Sequence, residues 1–259
     1  MITLSKVGEL AIPHNGEMCP VLKIESGGAV IWQHGSLLPI SLEVEKVAGS
    51  TTVDGVTYKD ERKILLNIRS FAGGSPVRVT YGGLTKEVDF STSEFQDVFF
   101  GSHKGVSDEV ETPESGTLII EGNVRTIVTK SGCRCVTGIN NWGAMEFVQQ
   151  SAFSGCSSLN VSYIPEGITL IAPYAFQSCE AITRMRIAST VTEIGGDAFK
   201  GCINLTTVTM DATTPPSVVR SPFTNCPGLV EIIVPAGCGD AYRTASGWSE
   251  YASMIVEAS

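Results

Sequence analysis

Ala175-Phe-Gln-Ser-Cys-Glu-Ala-Ile-Thr-Arg-Met-Arg-Ile-Ala-Ser-Thr-Val-Thr-Glu-Ile-Gly-Gly-Asp-Ala198-Phe199 begins and ends on the same Ala-Phe pair, one full period apart. Phe-Xaa-Xaa-Cys recurs at Phe153/Cys156, Phe176/Cys179, Phe199/Cys202 and Phe223/Cys226, in a step that varies by no more than a single position. A period of that size marks stacked coils, none of which can bury its apolar side alone. Counting from the Ala, or from Pro222 in the last coil, Phe is position 2 and Cys position 5. Position 8 is Leu159, Ile182, Leu205 or Leu229, and position 13 is Ile164, Ile187, Met210 or Val234. Positions 10 to 13 alternate with the period of a strand, so 8, 11 and 13 are predicted to face the core while 10 and 12 face out. A second short strand is expected at Ile168/Ile171 and at Val191/Ile194.

That register makes the Phe-Cys column architecture. Each buried Phe contributes roughly 1.5–3 kcal/mol. Thiols projecting in parallel from rungs about 4.8 Å apart rarely reach disulfide geometry, so Cys156, Cys179, Cys202 and Cys226 are expected as free thiols packed like small apolar groups. Cys19, Cys133, Cys135 and Cys238 read as irregularly spaced, and Cys133 and Cys135 alternate across a strand. A metal box is disfavoured, because its ligands must converge and these are strung along an axis.

Outward from the repeat, residues 1–100 read as a separate β-sandwich-like domain. Strands are predicted over 4–12, 21–24, 29–32, 40–47, 63–70, 77–81 and 85–90, with Gly27-Gly28, Asp54-Gly55, Gly73-Gly74 and Gly82-Gly83 as turns. Residues 101–116, with Asp108, Glu109, Glu111 and Glu114, have the composition of an acidic linker and lack the order of a calcium loop. From 117 the chain re-enters structure as an irregular first coil or N-terminal cap, and a short helix from Asp240 to Gly247 is expected to lay Tyr242 and Trp248 over the last coil. The fold class is therefore mostly β: a sandwich-like domain, a linker, and a repeat unit over 117–259 with a C-terminal cap.

The repeat resembles the BspA-type leucine-rich repeat of bacterial surface proteins, whose coil runs Ala-Phe, Cys, Leu, Ile-Pro, Val, Ile-Gly, Ala-Phe. The resemblance covers about 135–259. It implies a leucine-rich-repeat solenoid used in adhesion or in recognition of a protein or glycan at a bacterial surface, and it carries no catalytic residue across. Similar repeats occur in phage tail and prophage proteins, which gives the alternative of a phage structural or tail-associated protein. The start, Met1-Ile2-Thr3-Leu4-Ser5-Lys6, lacks the layout of a signal peptide. Either the usual export route is not used or a leader has been removed.

Nothing in the sequence asks for a cofactor or a catalytic centre. No phosphate loop, nucleophile elbow, dinucleotide fingerprint or His-Glu-Xaa-Xaa-His occurs. His14, His34 and His103 fall in expected turns and linker, away from the repeat. A net charge of -9 without basic runs disfavours nucleic acid, and the lack of a long apolar stretch disfavours membrane insertion. What remains is the outward face: Val161 and Tyr163, Arg184 and Arg186, Thr207 and Thr209, Glu231 and Ile233, aligned rung by rung. Tyr and Arg are enriched at binding hot spots. Tyr163, Arg184, Arg186, Thr207, Thr209 and Glu231 are the candidate partner-binding residues.

Overall fold

A computed structural model describes residues 39–53, 56–69, 76–90, 95–103, 106–108, 111–122, 124, 126–129, 135–143 and 145–259, with the backbone of four short strands ahead of them, Ala11–His14, Glu17–Pro20, Lys23–Ile24 and Val30–Ile31. Alternation is clearest in two strands of the first half. Ile40, Leu42 and Val44 are buried while Ser41 and Glu43 are not, and Val77, Val79 and Tyr81 follow the same rule. Gly82 and Gly83, at φ 57° and 84°, make the two-residue turn that sets Tyr81 opposite Leu84, the hairpin the sequence predicts. Two five-stranded antiparallel sheets result among the described residues, beside two two-stranded ones formed by the four short strands. One orders Val136–Trp142, Ile40–Glu45, Ser115–Glu121, Val77–Tyr81 and Leu84–Val88. The other sets Val56–Arg69 between Phe95–His103 and Thr126–Thr129, with Val47–Val53 also pairing to it. The predicted turns at 27–28, 54–55 and 73–74 lie outside the described residues.

The spacer expected at 101–116 is corrected. Gly101 to His103 end a long strand paired with Val56–Arg69, Val106–Ser107 returns on it as a hairpin, and Ser115 already belongs to the other sheet. Its acids are not simply solvated. The Asp108 side chain is 5% exposed, accepts the Gly101 N–H at 2.7 Å and pairs with Lys86 Nζ at 2.5 Å. Lys46 Nζ donates to Thr112 O at 2.5 Å and stands 3.8 Å from Glu114, and the Tyr81 hydroxyl donates to Pro113 O at 2.9 Å. Glu109 lies outside the described residues. The Gly, Pro and acid content is real, but Lys86, Lys46 and Tyr81, which tether it, are distant in sequence.

From Phe147 on, pairing turns parallel and advances one coil at a time. One ladder runs Phe147–Val148, Leu170–Ile171, Glu193–Ile194, Ser217–Val218; the other runs Tyr163–Ile164, Arg184–Ile187, Thr207–Met210, Glu231–Val234, Ile255–Glu257. Between them Phe153, Phe176, Phe199 and Phe223 stack with centroids 5.5, 5.2 and 5.5 Å apart. Trp142 closes one end of the column edge-on at 6.4 Å, and Tyr251 closes the other at 5.5 Å. The helix Gly239–Thr244 carries Tyr242, fully buried with Trp248 over the last coil, as the sequence leads one to expect.

The strand Val136–Trp142 belongs to both halves. It pairs antiparallel with Ile40–Glu45, and its Thr137 carbonyl accepts the Asn160 N–H at 2.8 Å, the same one-coil step by which Thr183 O accepts from Thr206. Val136, Met145 and Val148 are buried one full period before Leu159, Ile168 and Ile171. This is a further coil in register, with Trp142 supplying the aromatic cover its missing Ala-Phe would have given.

Three thiols of the column are hydrogen-bonded to the preceding coil. Cys179, Cys202 and Cys226 donate Sγ–H to the carbonyls of Phe153, Phe176 and Phe199, one coil back, at 3.2, 3.2 and 3.1 Å. Burial pushes the Cys202 thiol up to about 12 and raises Cys179 and Cys226 as well. A raised thiol pKa leaves the protonated, unreactive form at neutral pH. An alkylating reagent at mildly alkaline pH should therefore leave Cys179 and Cys202 unmodified in the native protein and label both after denaturation, read by peptide mass mapping. Native labelling of either would show that the coils open.

Candidate interaction face

The longer parallel ladder places the candidate residues. Its strands show the alternation exposed-buried-exposed-buried at Arg184–Ile187, with Met185 and Ile187 in the core and Arg184 and Arg186 out. Register then aligns the outward side chains in two rows. Arg184 faces Thr207, which faces Glu231; Tyr163 faces Arg186, Thr209, Ile233 and finally Val256. All six candidates thus stand on one face.

Val161 does not join them. It is 6% exposed, while its neighbour Ser162 points out, the reverse of the predicted alternation. The first coil has only the two strand residues Tyr163 and Ile164, so the strand period does not reach back to 161. At the other end the face gains a rung: Val256, 48% exposed, lies on the strand after the cap, where no repeat signature points.

The two arginines differ in what they are free to do. Arg186 Nε donates to both carboxylate oxygens of Asp211, at 3.0 and 2.9 Å, and its guanidinium lies 5.9 Å from the Tyr163 ring centroid. The Asp211 carboxylate beside it raises the guanidinium pKa further. Burial, then Glu166 and Asp211, hold the Tyr163 phenol above its ordinary value, so it stays a neutral donor. Glu166 is itself tied to the next coil by the Ser189 hydroxyl at 2.8 Å and the Ser189 N–H at 3.1 Å. Burial works to raise its carboxyl, but the Ser189 and Thr190 hydrogen bonds outweigh it and hold it below the usual range. Thr207 donates to Glu231 at 3.1 Å. Arg184 is exposed and has no hydrogen bond or ion pair to a described residue. It is the face's uncommitted charge, and only the fold could separate it from Arg186.

Asp211 and Glu166 carry no signal in the sequence, although Asp211 directly follows the core residue Met210, one rung along from Arg186. The histidines are relocated: His14 and His103 end strands, and His34 lies outside the described residues. Among the described residues no group of His, Cys, Asp and Glu is placed to hold a metal, and no helix is long and apolar enough to cross a membrane.

The geometry of the coils agrees with a family match. The BspA type leucine rich repeat region matches in 6 copies over residues 118–245. Residues 118–245 belong to the BspA-type leucine-rich repeat family. The match starts upstream of the first Ala-Phe, in accord with the in-register coil that contains Val136 and Val148. No curated protein matches the chain. Repeats of this family are in general protein-interaction modules, which is what a row of varied side chains on a uniform scaffold provides.

Proposed function

We propose that the chain is a non-catalytic binding module of a bacterial surface. In this reading a leucine-rich-repeat solenoid, carried on a sandwich-like β unit, presents its longer ladder to a protein or glycan partner. The observation that carries it is the contrast on that ladder: the inward positions of its strands are all apolar, whereas the outward positions are an aromatic, guanidiniums, hydroxyls, a carboxylate and two aliphatics. Uniform packing needs no such variety. Recognition does.

Arg184 is the residue to remove. Truncating Arg186 would also strand Asp211 and uncover Tyr163, although an exposed pair of this kind contributes only about 0–1 kcal/mol. Arg184→Ala removes no hydrogen bond or ion pair to a described residue and should leave the melting temperature nearly unchanged. On protein and glycan arrays probed with the full chain, it is expected to weaken the bound signal about tenfold. Binding at wild-type strength would remove the ladder from the recognition surface. The full chain is needed, because Val136–Trp142 is paired with the N-terminal sheet.

A further inference from the structure

Arg184, Thr207 and Glu231 occupy one row on three adjacent strands. A guanidinium stands at one end, a carboxylate at the other and a hydroxyl between. Neighbouring strands lie about 4.8 Å apart, so the two charges are about 10 Å apart. Turned end for end, such a row sets each charge on its opposite. The half-turn that does this has its axis along the strand Thr207–Met210, and it acts on the second row in the same way. Tyr163 and Val256 stand two strands to either side of Thr209. They are exchanged, while Thr209 meets its own image. Both are exposed apolar groups, at 39% and 48%. Arg186, already neutralised by Asp211, would fall on Ile233, and its aliphatic stem suits that contact.

A surface that is its own complement under two-fold rotation meets the requirement of an isologous interface. We propose that this face pairs with the same face of a second copy of the chain, Arg184 of each meeting Glu231 of the other and Tyr163 of each packing on Val256 of the other. The inference rests on the ladder being the recognition face, and it names the partner. Thr207 holds Glu231 through one carboxylate oxygen and so presets its position for the incoming guanidinium. Five strands about 4.8 Å apart, of two to four residues each, cover a footprint well short of the roughly 800 Å² per partner of a stable interface, so association is weak and concentration-dependent. The net charge of -9 per chain opposes approach at long range, which makes the local charge matching decisive for orientation.

Sedimentation velocity of the full chain over roughly 10 μM to 1 mM, in salt that screens beyond about 8 Å, tests this. Wild type should show a reversible dimer. R184E and E231R, each placing like charges opposite each other, should weaken it at least about tenfold, and R184E/E231R together should restore it. Circular dichroism confirms that each variant is folded. A wild-type chain that stays monomeric throughout, a single reversal that dimerises as wild type does, or a double reversal no better than the singles would overturn the proposal. A monomeric wild type whose array binding still depends on Arg184 would remove the second copy and leave the recognition face standing. A dimer restored by the charge swap, with array binding indifferent to Arg184, would support the second copy and remove the external partner.

Discussion

Phe199→Ala is expected to destabilise the protein by about 3–5 kcal/mol, with the melting temperature falling by roughly 10 °C. Phe199 is fully buried and stacked on both sides, at 5.2 Å from Phe176 and 5.5 Å from Phe223. Neither neighbour can move into the space, since each is fixed by its own coil's backbone. The Phe176 N–H donates to Ala198 O at 2.7 Å, and the Phe199 N–H donates to Pro222 O at 2.9 Å, so the backbone holds the gap open. Cavity cost then adds to lost burial. Phe223→Ala should cost less, because Phe223 is 5% exposed and flanked on one side by Tyr251 edge-on. Urea unfolding of the two variants measures the difference. A loss under about 1 kcal/mol for Phe199 would mean that the column does not carry the core.

The repeat is legible because one physical demand, a ring in the same place every coil, is written into the chain at a fixed step. Its register places the buried and outward positions of the coils from Arg184 to Val234 correctly. Two readings fall short, each for its own reason. Val161 and Ser162 come out inverted because strand alternation does not extend into a coil whose strand holds only Tyr163 and Ile164. The coil that holds Val136, Met145 and Val148 reads in the sequence only as an irregular first coil or cap, because its Ala-Phe is absent; the burial of those three residues puts it in register. In the first half, short-range signals work where a turn is local, as at Gly82-Gly83. They fail at 101–116, where the decisive partners are Lys86 and Lys46, distant in sequence.

The candidate face shows the same division. That six residues share a face follows from period alone. That Arg186 is engaged, while Arg184 has no hydrogen bond or ion pair to a described residue, depends on Asp211 one rung away, a pairing across coils that no local pattern encodes. Sequence could propose the surface; the cross-coil register was needed to separate the arginine paired with Asp211 from the one with no hydrogen bond or ion pair to a described residue.

Trp248→Ala should cost a similar amount, about 3–5 kcal/mol, but its effect should be unevenly spread. Trp248 is fully buried, its Nε1–H donates to Pro216 O at 2.8 Å, and its ring meets Tyr242 edge-on at 5.2 Å and Tyr251 at 6.5 Å. Tyr251 in turn closes the Phe column, and its hydroxyl bonds Ser221. Truncation therefore uncovers the last coil and leaves the Pro216 carbonyl without its donor. Coils are held by their neighbours, so loss of the cover should propagate inward from the end. Hydrogen exchange should accelerate first at Glu231–Val234 and Ile255–Glu257, less at Thr207–Met210, and little at Val77–Tyr81 in the N-terminal sheet. Trp248→Phe separates the two contributions: it keeps most of the ring and loses the donor, for about 1–3 kcal/mol. A uniform rise in exchange along the chain would show instead that sheets and coils unfold as one unit, and unchanged protection at Glu231–Val234 would show that the cap does not stabilise the coil it covers.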